Sequence, residues 1–207
     1  MFIILTFLIS LIPLDFIKIY LFRLIGIKID KNSHLGFFVI FSNKNIQIDN
    51  SILESFNFIF AEDICIIDSK IKKGNYFKNL SKLKLISSSI GNFNKFVTDK
   101  RHKIKNNSLI IKSSTIYNQN LFDLTANIYL ERTKICNLNQ FWTHGFDIFR
   151  KITPGDIEIK NDVLINNSNI ILPGVKIANK VRILHGTVIH KDIIESGEYK
   201  SNLICKT

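Results

Sequence analysis

Six isoleucines, Ile159, Ile165, Ile171, Ile177, Ile183 and Ile189, recur at every sixth position without a miss. An α-helix cannot hold a period of six on one face, because 3.6 residues per turn rotate such a stripe away. A single strand cannot run that long, since strands average about five or six residues. A chain that turns a corner after each short strand satisfies the pattern, with three sides of about six residues per turn and one inward residue per side. Two residues before each isoleucine stands a second recurrent position: Ile157, Val163, Asn169, Val175, Val181 and Thr187. Corner residues such as Lys160-Asn161-Asp162 and Leu172-Pro173-Gly174 lie between. The pattern predicts a hexad-repeat parallel β-helix from Ile157 to Asp192.

Earlier runs keep the same step: Ile40, Ile46, Ile52, Phe58 and Ile64, then Ile104, Ile110, Ile116, Phe122 and Ile128. A second phase, Leu124, Leu130, Cys136 and Trp142, overlaps the last of these. Between Lys72 and Arg101 the rhythm is lost, which fits irregular coils or a loop thrown off the solenoid. The first 26 residues read differently. Met1–Leu14 carries no charge, and Pro13 divides an apolar run into two short helices, about 2–12 and 14–25. Fourteen residues fall short of a spanning helix, and a secretory signal would need a basic start and a cleavage site that are not seen. The helices serve as a cap over the open end of the coil, or as an interfacial segment with Lys18 and Arg23 facing lipid phosphates. The expected organisation is therefore 1–26 helical, 27–192 β-helix and 193–207 tail.

A 207-residue chain fits one domain. Its formal charge of +11 suits an anionic partner, whether a phosphorylated cofactor, a phosphate-linked glycan or an acidic membrane face, although an AT-rich coding bias toward lysine would give the same balance. No recognition helix or stacking motif points to nucleic acid. Cys65, Cys136 and Cys205 form no CxxC pair, which argues against a disulfide framework or zinc knot. Cys65 and Cys136 read as small core fillers, and a cytoplasmic setting follows, with the inner membrane face as an alternative.

The segment from Asn137 to Asp147 holds the only tryptophan, Trp142, beside Thr143-His144-Gly145, where the rhythm ends. A histidine flanked by aromatics at a solenoid break suits a general base near neutral pH; a surface corner histidine is the plain alternative. Three stretches carry a resemblance: Phe122-Asp123-Leu124-Thr125 leading to Gln140-Phe141-Trp142-Thr143-His144-Gly145, then Gly155–Val163 running to Ile171–Ile177, and Gly186–Asp192 with Ser196–Tyr199. Together they resemble the hexapeptide-repeat acyltransferases, in the WTHG-containing branch associated with surface glycan biosynthesis. The similarity covers about 121–200, with Phe22–Leu35 resembling the approach to the first coil.

The resemblance implies a left-handed β-helix, all-β apart from the apolar helical segment, and a homotrimer that transfers an acetyl group from acetyl-CoA to a sugar hydroxyl of a surface polysaccharide or lipid-linked glycan. His144 matches the family's catalytic histidine, acting as base for direct attack on the thioester. Asn166, Asn167, Leu184 and His185 correspond to corners that hold the pantetheine arm, with His190 and Lys191 near the nucleotide end. Leu184 and His185 are larger than the family's residues and would narrow the groove, whereas Asn166 and Asn167 suit left-handed corners. Asp123 or Asp147 could orient the His144 ring, and Asn139 could support the oxyanion or acceptor. No metal is expected. Two other readings remain: a scaffold or glycan-binding subunit without catalysis, and a metalloenzyme resembling γ-class carbonic anhydrases through His144, His185 and His190.

Overall fold

The computed structural model describes residues 1–60, 63–78, 82–98 and 108–200. Over these the chain winds a three-sided parallel β-solenoid of about eight turns, an architecture consistent with a left-handed β-helix. The first face runs from Lys28–Ile29 to Lys176–Ile177, the second from His34–Leu35 to Gly197–Tyr199, and the third from Ile40–Phe41 to Val188–Ile189. All six isoleucines of the regular run point inward, none more than 6% exposed. Their companions two residues earlier are buried too, Asn169 and Thr187 fully.

The early coils are as regular but keep different time. Inward residues run Phe41, Ile48, Leu53, Ile59, Ile66, Ile71 and Phe77, in repeating steps of seven, five and six. The turn is still eighteen residues long, but a strict six-residue count drifts off the inward row. Ile52 and Phe58 therefore face outward, as does Ile110, while Ile46, Ile64, Ile116, Phe122 and Ile128 are buried. Ile104 lies outside the described residues. The stretch from Lys72 is not a thrown-off loop where it is described: Tyr76–Lys78, Leu83–Ile86, Ser89–Ile90 and Lys95–Val97 are ordinary coil strands. Cys65 and Cys136 are not core fillers. Both are half-buried at outward positions, Cys65 between inward Ile64 and Ile66 and Cys136 next to inward Ile135. Burial raises the Cys136 thiol pKa, with Lys134 pulling the other way.

Two corners are turned by the same device. One residue adopts positive φ, and the next points a polar side chain inward. Between the first and second faces the left-handed residues are Asn50, Asp68, Ser87, Ser113, Arg132, Asp162 and Lys180. Ser51, Ser69, Ser88, Ser114 and Thr133 follow the first five. Each serine hydroxyl accepts from the next rung's backbone N–H, from Ser51 Oγ with Ser69 N at 3.0 Å to Ser114 Oγ with Thr133 N at 3.0 Å, and Thr133 Oγ1 donates to Glu131 O. Between the second and third faces an asparagine ladder does the same. Asn57, Asn75, Asn94, Asn120, Asn139 and Asn169 each accept the next rung's N–H on Oδ1, and Thr187 N closes the series. Beside this ladder Phe77, Phe96, Phe122 and Phe141 stack at centroid separations of 4.6, 4.7 and 4.5 Å, close to the spacing of paired strands.

The helices, α1 (Phe2–Ser10) and α2 (Asp15–Leu24), cap the first coil. Phe22 is fully buried, edge-on to Phe41 at 5.3 Å. Thr6 Oγ1 donates to Phe41 O, and Lys18 Nζ donates to Leu35 O at 2.6 Å and Gly36 O at 3.1 Å. Lys18 is only 1% exposed, so it satisfies carbonyls of the open end rather than facing a lipid headgroup. Burial lowers its pKa, against the pull of Asp15. At the other end the solenoid runs past the expected boundary at Asp192, because Gly197–Tyr199 pairs with Val181–Ile183.

The ladder makes a testable claim. Asn94→Ala strips a buried acceptor from Asn120 N and a buried donor from Tyr117 O. Urea denaturation should show a loss of about 2–4 kcal/mol, given roughly 1–3 kcal/mol for each buried group left unpaired. Asn92→Ala, on the outer side of the same coil, should cost under about 1 kcal/mol.

Candidate functional site

Gln140 and Ile170 are adjacent rungs of the third face, yet thirty residues separate them where the regular coils use eighteen. The additional residues form an antiparallel hairpin at the third corner, His144–Phe146 against Ile152–Pro154. Its tip is held by Asp147, whose Oδ1 accepts from Phe149 N and Lys151 N, both at 2.8 Å. Asp147 is therefore a loop cap and does not orient His144. The segment expected as loop between Arg150 and Gly155 is largely the returning strand.

The hairpin's base lies over the preceding coil, which explains an unbroken buried run from Phe122 to Ala126. Thr143 Oγ1 accepts from Ala126 N at 2.9 Å. Asp123 Oδ2 accepts from Thr143 N at 3.0 Å, and its Oδ1 accepts from Thr125 Oγ1 at 2.9 Å. Thr143 Oγ1 also lies 3.0 Å from Oδ2, and His144 Nδ1 approaches the same oxygen at 2.8 Å. A carboxylate can only accept, so Nδ1 carries the proton and a neutral ring keeps its lone pair on Nε2. The ring is 19% exposed, on the outer side of the prism. Trp142 and Phe146, two residues to either side on the same side of the extended chain, stand edge-on to it at 6.4 and 5.9 Å. Trp142 is itself steadied by Nε1 donating to Gln140 Oε1.

Asn139 is placed elsewhere. It is a fully buried rung of the inner ladder, with Oδ1 on Asn169 N, so it faces the core and not an acceptor; its Nδ2 has no partner among the described residues. Asn166, Asn167, Leu184 and His185 share the second corner on adjacent coils, with Asn167 Oδ1 accepting from Asn137 N. The left-handed residue there is Ser168, not Asn166 or Asn167. Asn166 is 8% exposed and its Nδ2 is unpaired among the described residues. His190 and Lys191 are exposed at the third corner, one turn beyond the Leu172-Pro173 corner that the hairpin overlies. A full face therefore separates the two groups, and His185 and His190 stand on different corners. Among the described residues no three His, Cys, Asp or Glu side chains gather as a metal site.

A cleft of about 650 Å³ opens beside the hairpin's returning strand, lined by Tyr129, Pro154, Gly155, Glu158, Gly174 and Lys176 among others. His144 is not in its wall. Thr143, Thr125, Trp142 and Phe146 were not anticipated as site residues, although the alternation Trp142, His144, Phe146 already put those rings on one side of the chain.

No family model matches the sequence, and no curated protein does. Among solved structures the chain is similar to a hexapeptide-repeat containing acetyltransferase of Vibrio cholerae complexed with acetyl coenzyme A, at 15% identity over 95% of this chain and 78% of that one, TM-score 0.42. It is also similar to the polySia specific acetyltransferase NeuO, at 18% identity over 78% and 83% of the two chains, TM-score 0.35. A third is the UDP-N-acetylglucosamine acyltransferase of Francisella novicida, at 15% identity over 86% and 63%, TM-score 0.34.

Two substitutions probe the arrangement. Asp123→Asn lets an amide N–H face Nδ1, and ¹⁵N spectra of His144 should move from the Nδ1–H toward the Nε2–H tautomer. Gly155→Ala would bring a Cβ to 2.5 Å from Gly174 N, a backbone contact that no rotamer relieves. It should cost about 1–3 kcal/mol in denaturation and displace the hairpin.

Proposed function

We propose that the protein is an acetyl-CoA-dependent O-acyltransferase, with His144 as general base and a sugar hydroxyl of a surface polysaccharide or lipid-linked glycan as acceptor. The observation that carries this reading is the contact between His144 Nδ1 and Asp123 Oδ2, which leaves Nε2 basic at the outer surface of the prism. The Phe-Asp-Leu-Thr and Trp-Thr-His-Gly sequences that resemble the hexapeptide-repeat acyltransferases supply these two residues.

In this mechanism His144 Nε2 takes the proton of the acceptor hydroxyl as its oxygen attacks the thioester carbonyl. The carbon–sulfur bond then breaks, and the imidazolium returns the proton to the departing thiolate. Asp123 holds the ring in the required tautomer and balances the imidazolium charge. No enzyme nucleophile is used. The corner bearing Asn166, Asn167, Leu184 and His185 fits an amide-bearing arm: it carries no acidic side chain, and Asn166 Nδ2 is a buried donor without a partner among the described residues. Lys191 is an exposed cation available to a CoA phosphate. Because that corner lies a face away from His144, the reading requires a second chain to bring donor and base together, as a homotrimer would.

Thiol release from acetyl-CoA, followed with a panel of sugar acceptors, tests the proposal. His144→Ala should reduce turnover by about 10²–10⁴-fold with unchanged folding, and undiminished turnover would remove His144 from the mechanism. Failure of CoA to raise the melting temperature at saturating concentration would favour the scaffold, since a ligand at 100 times its Kd stabilises by about 2.7 kcal/mol.

A further inference from the structure

The terminal cap of a solenoid ordinarily presents a polar outer face to water. This cap does not. The side of α1 that covers the coil is formed by Thr6, Ile9 and Ser10, and that of α2 by Lys18, Ile19 and Phe22. The opposite side is apolar and open: Ile4 is 65% exposed, Leu8 55%, Phe16 71%, Tyr20 61% and Leu24 64%. At 3.6 residues per turn the exposed positions of α1, from Ile3 round to Leu5, sweep about 200° of its circumference. Not one is charged. Capping needs only the buried side, so the exposed one is unexplained by the fold.

We propose that this convex surface inserts shallowly into the headgroup region of an anionic lipid bilayer. Its shape favours a surrounding medium, because a half-cylinder exposed over 200° cannot be covered by one flat partner face. Its border favours negative charge. Arg23 closes α2, Lys44 packs against Gly26 immediately after it, and Lys28 and Lys31 are exposed on the first coil. Of the carboxylates nearby, Asp15 is paired with Lys18 and His34, while Asp30 and Asp49 bond neutral partners and keep their charge, so the four cations outnumber them. A second copy docked on the same face would set these four cations against their equivalents, whereas lipid phosphates complement them. Phe16 and Tyr20 are side chains suited to the interface. Among the described residues no helix is long and apolar enough to cross a membrane, so contact would be parallel to the surface.

Co-sedimentation of the full chain with vesicles of phosphatidylglycerol and phosphatidylcholine, against vesicles of phosphatidylcholine alone, tests the proposal without any assay of acyl transfer. Binding should favour the anionic vesicles and weaken as salt rises. Leu8→Asp should lower partitioning at least tenfold while the melting temperature stays constant, because the site is already exposed. Phe16→Ser gives an independent second variant. Replacing Arg23, Lys28, Lys31 and Lys44 with glutamine should remove the preference for anionic lipid. No sedimentation with either vesicle overturns the proposal, as does a dimer in light scattering that Leu8→Asp dissolves. His144→Ala should bind vesicles as the parent does, which separates this outcome from failure of the enzymatic reading.

Discussion

Everything in this molecule depends on how two of its three corners are made. A corner in this prism asks a residue with a β-carbon to take positive φ, which costs on the order of 1 kcal/mol or more where the residue is not glycine. Thirteen of the fifteen non-glycine residues with positive φ among the described residues stand at these two corners. They include Phe38, Phe56 and Phe93, side chains poorly suited to the left-handed region. At ten of these thirteen positions the residue that follows offsets the strain, the exceptions being Phe38, Asp162 and Lys180, which valines follow. A serine hydroxyl or an asparagine amide turns inward and pairs with the backbone of the neighbouring rung, so a bent backbone inside a dry core leaves few polar groups unpaired. Phe38 and Phe56 also stack on one another at 5.1 Å, recovering contact on the outside of the bend.

The ladders explain where the molecule can vary. A rung reaches its neighbour only if both stand at the same place in the turn, so the chain length from the first face through the second to the third is held nearly constant. Among the described residues the passage from the third face back to the first carries only separate links, such as Asn127 Oδ1 with Ser108 N and Asp156 Oδ1 with Asn127 N, and no inner ladder that runs coil after coil. All the surplus length falls there: Lys84 and Ile110 are paired neighbours twenty-six residues apart, and Tyr129 and Glu158 are twenty-nine apart. The candidate site occupies this permissive corner. Asp123 belongs to the regular coil, where Phe122 stacks rigidly between Phe96 and Phe141, and His144 belongs to the insertion. The dyad joins a fixed carboxylate to a grafted imidazole.

This division also decides what the sequence discloses. From Ile159 to Ile189 the corners divide a turn equally, and a count of six reads the core directly. In the earlier coils the steps of seven, five and six preserve the turn but scramble the count, and isoleucines on the outer face, such as Ile52 and Ile110, supply false members. The asparagine ladder was visible only as Asn169 and Thr187 in the companion row, because earlier rungs fall off a fixed spacing. His144 was legible through its neighbours in sequence. Its partner was not, since Asp123 and Asp147 are equally plausible until the hairpin turns one toward the ring and ties the other into its tip. Asn139 misled for a related reason. An asparagine near a reactive histidine in sequence points the opposite way when strand alternation carries it inward.

The same geometry constrains how acyl transfer would be organised. His144 stands at the third corner, and the Asn166 donor, unpaired among the described residues, stands at the second. The third face lies between them, on the order of six residues of extended chain, or roughly 20 Å. An arm lying along the second corner of one prism is thus aimed away from the imidazole of the same chain. A neighbouring prism packed against that corner would present its own third-corner hairpin, whose tip carries Phe146, Ile148 and Phe149 exposed at 66%, 91% and 74%. Apolar side chains that open to water are disfavoured on a free chain and would be accounted for if the hairpin rested on another protomer. In such an assembly the hairpin would perform two tasks with one insertion: its base orients the imidazole against Asp123, and its apolar tip would seat that imidazole over a groove of the next chain.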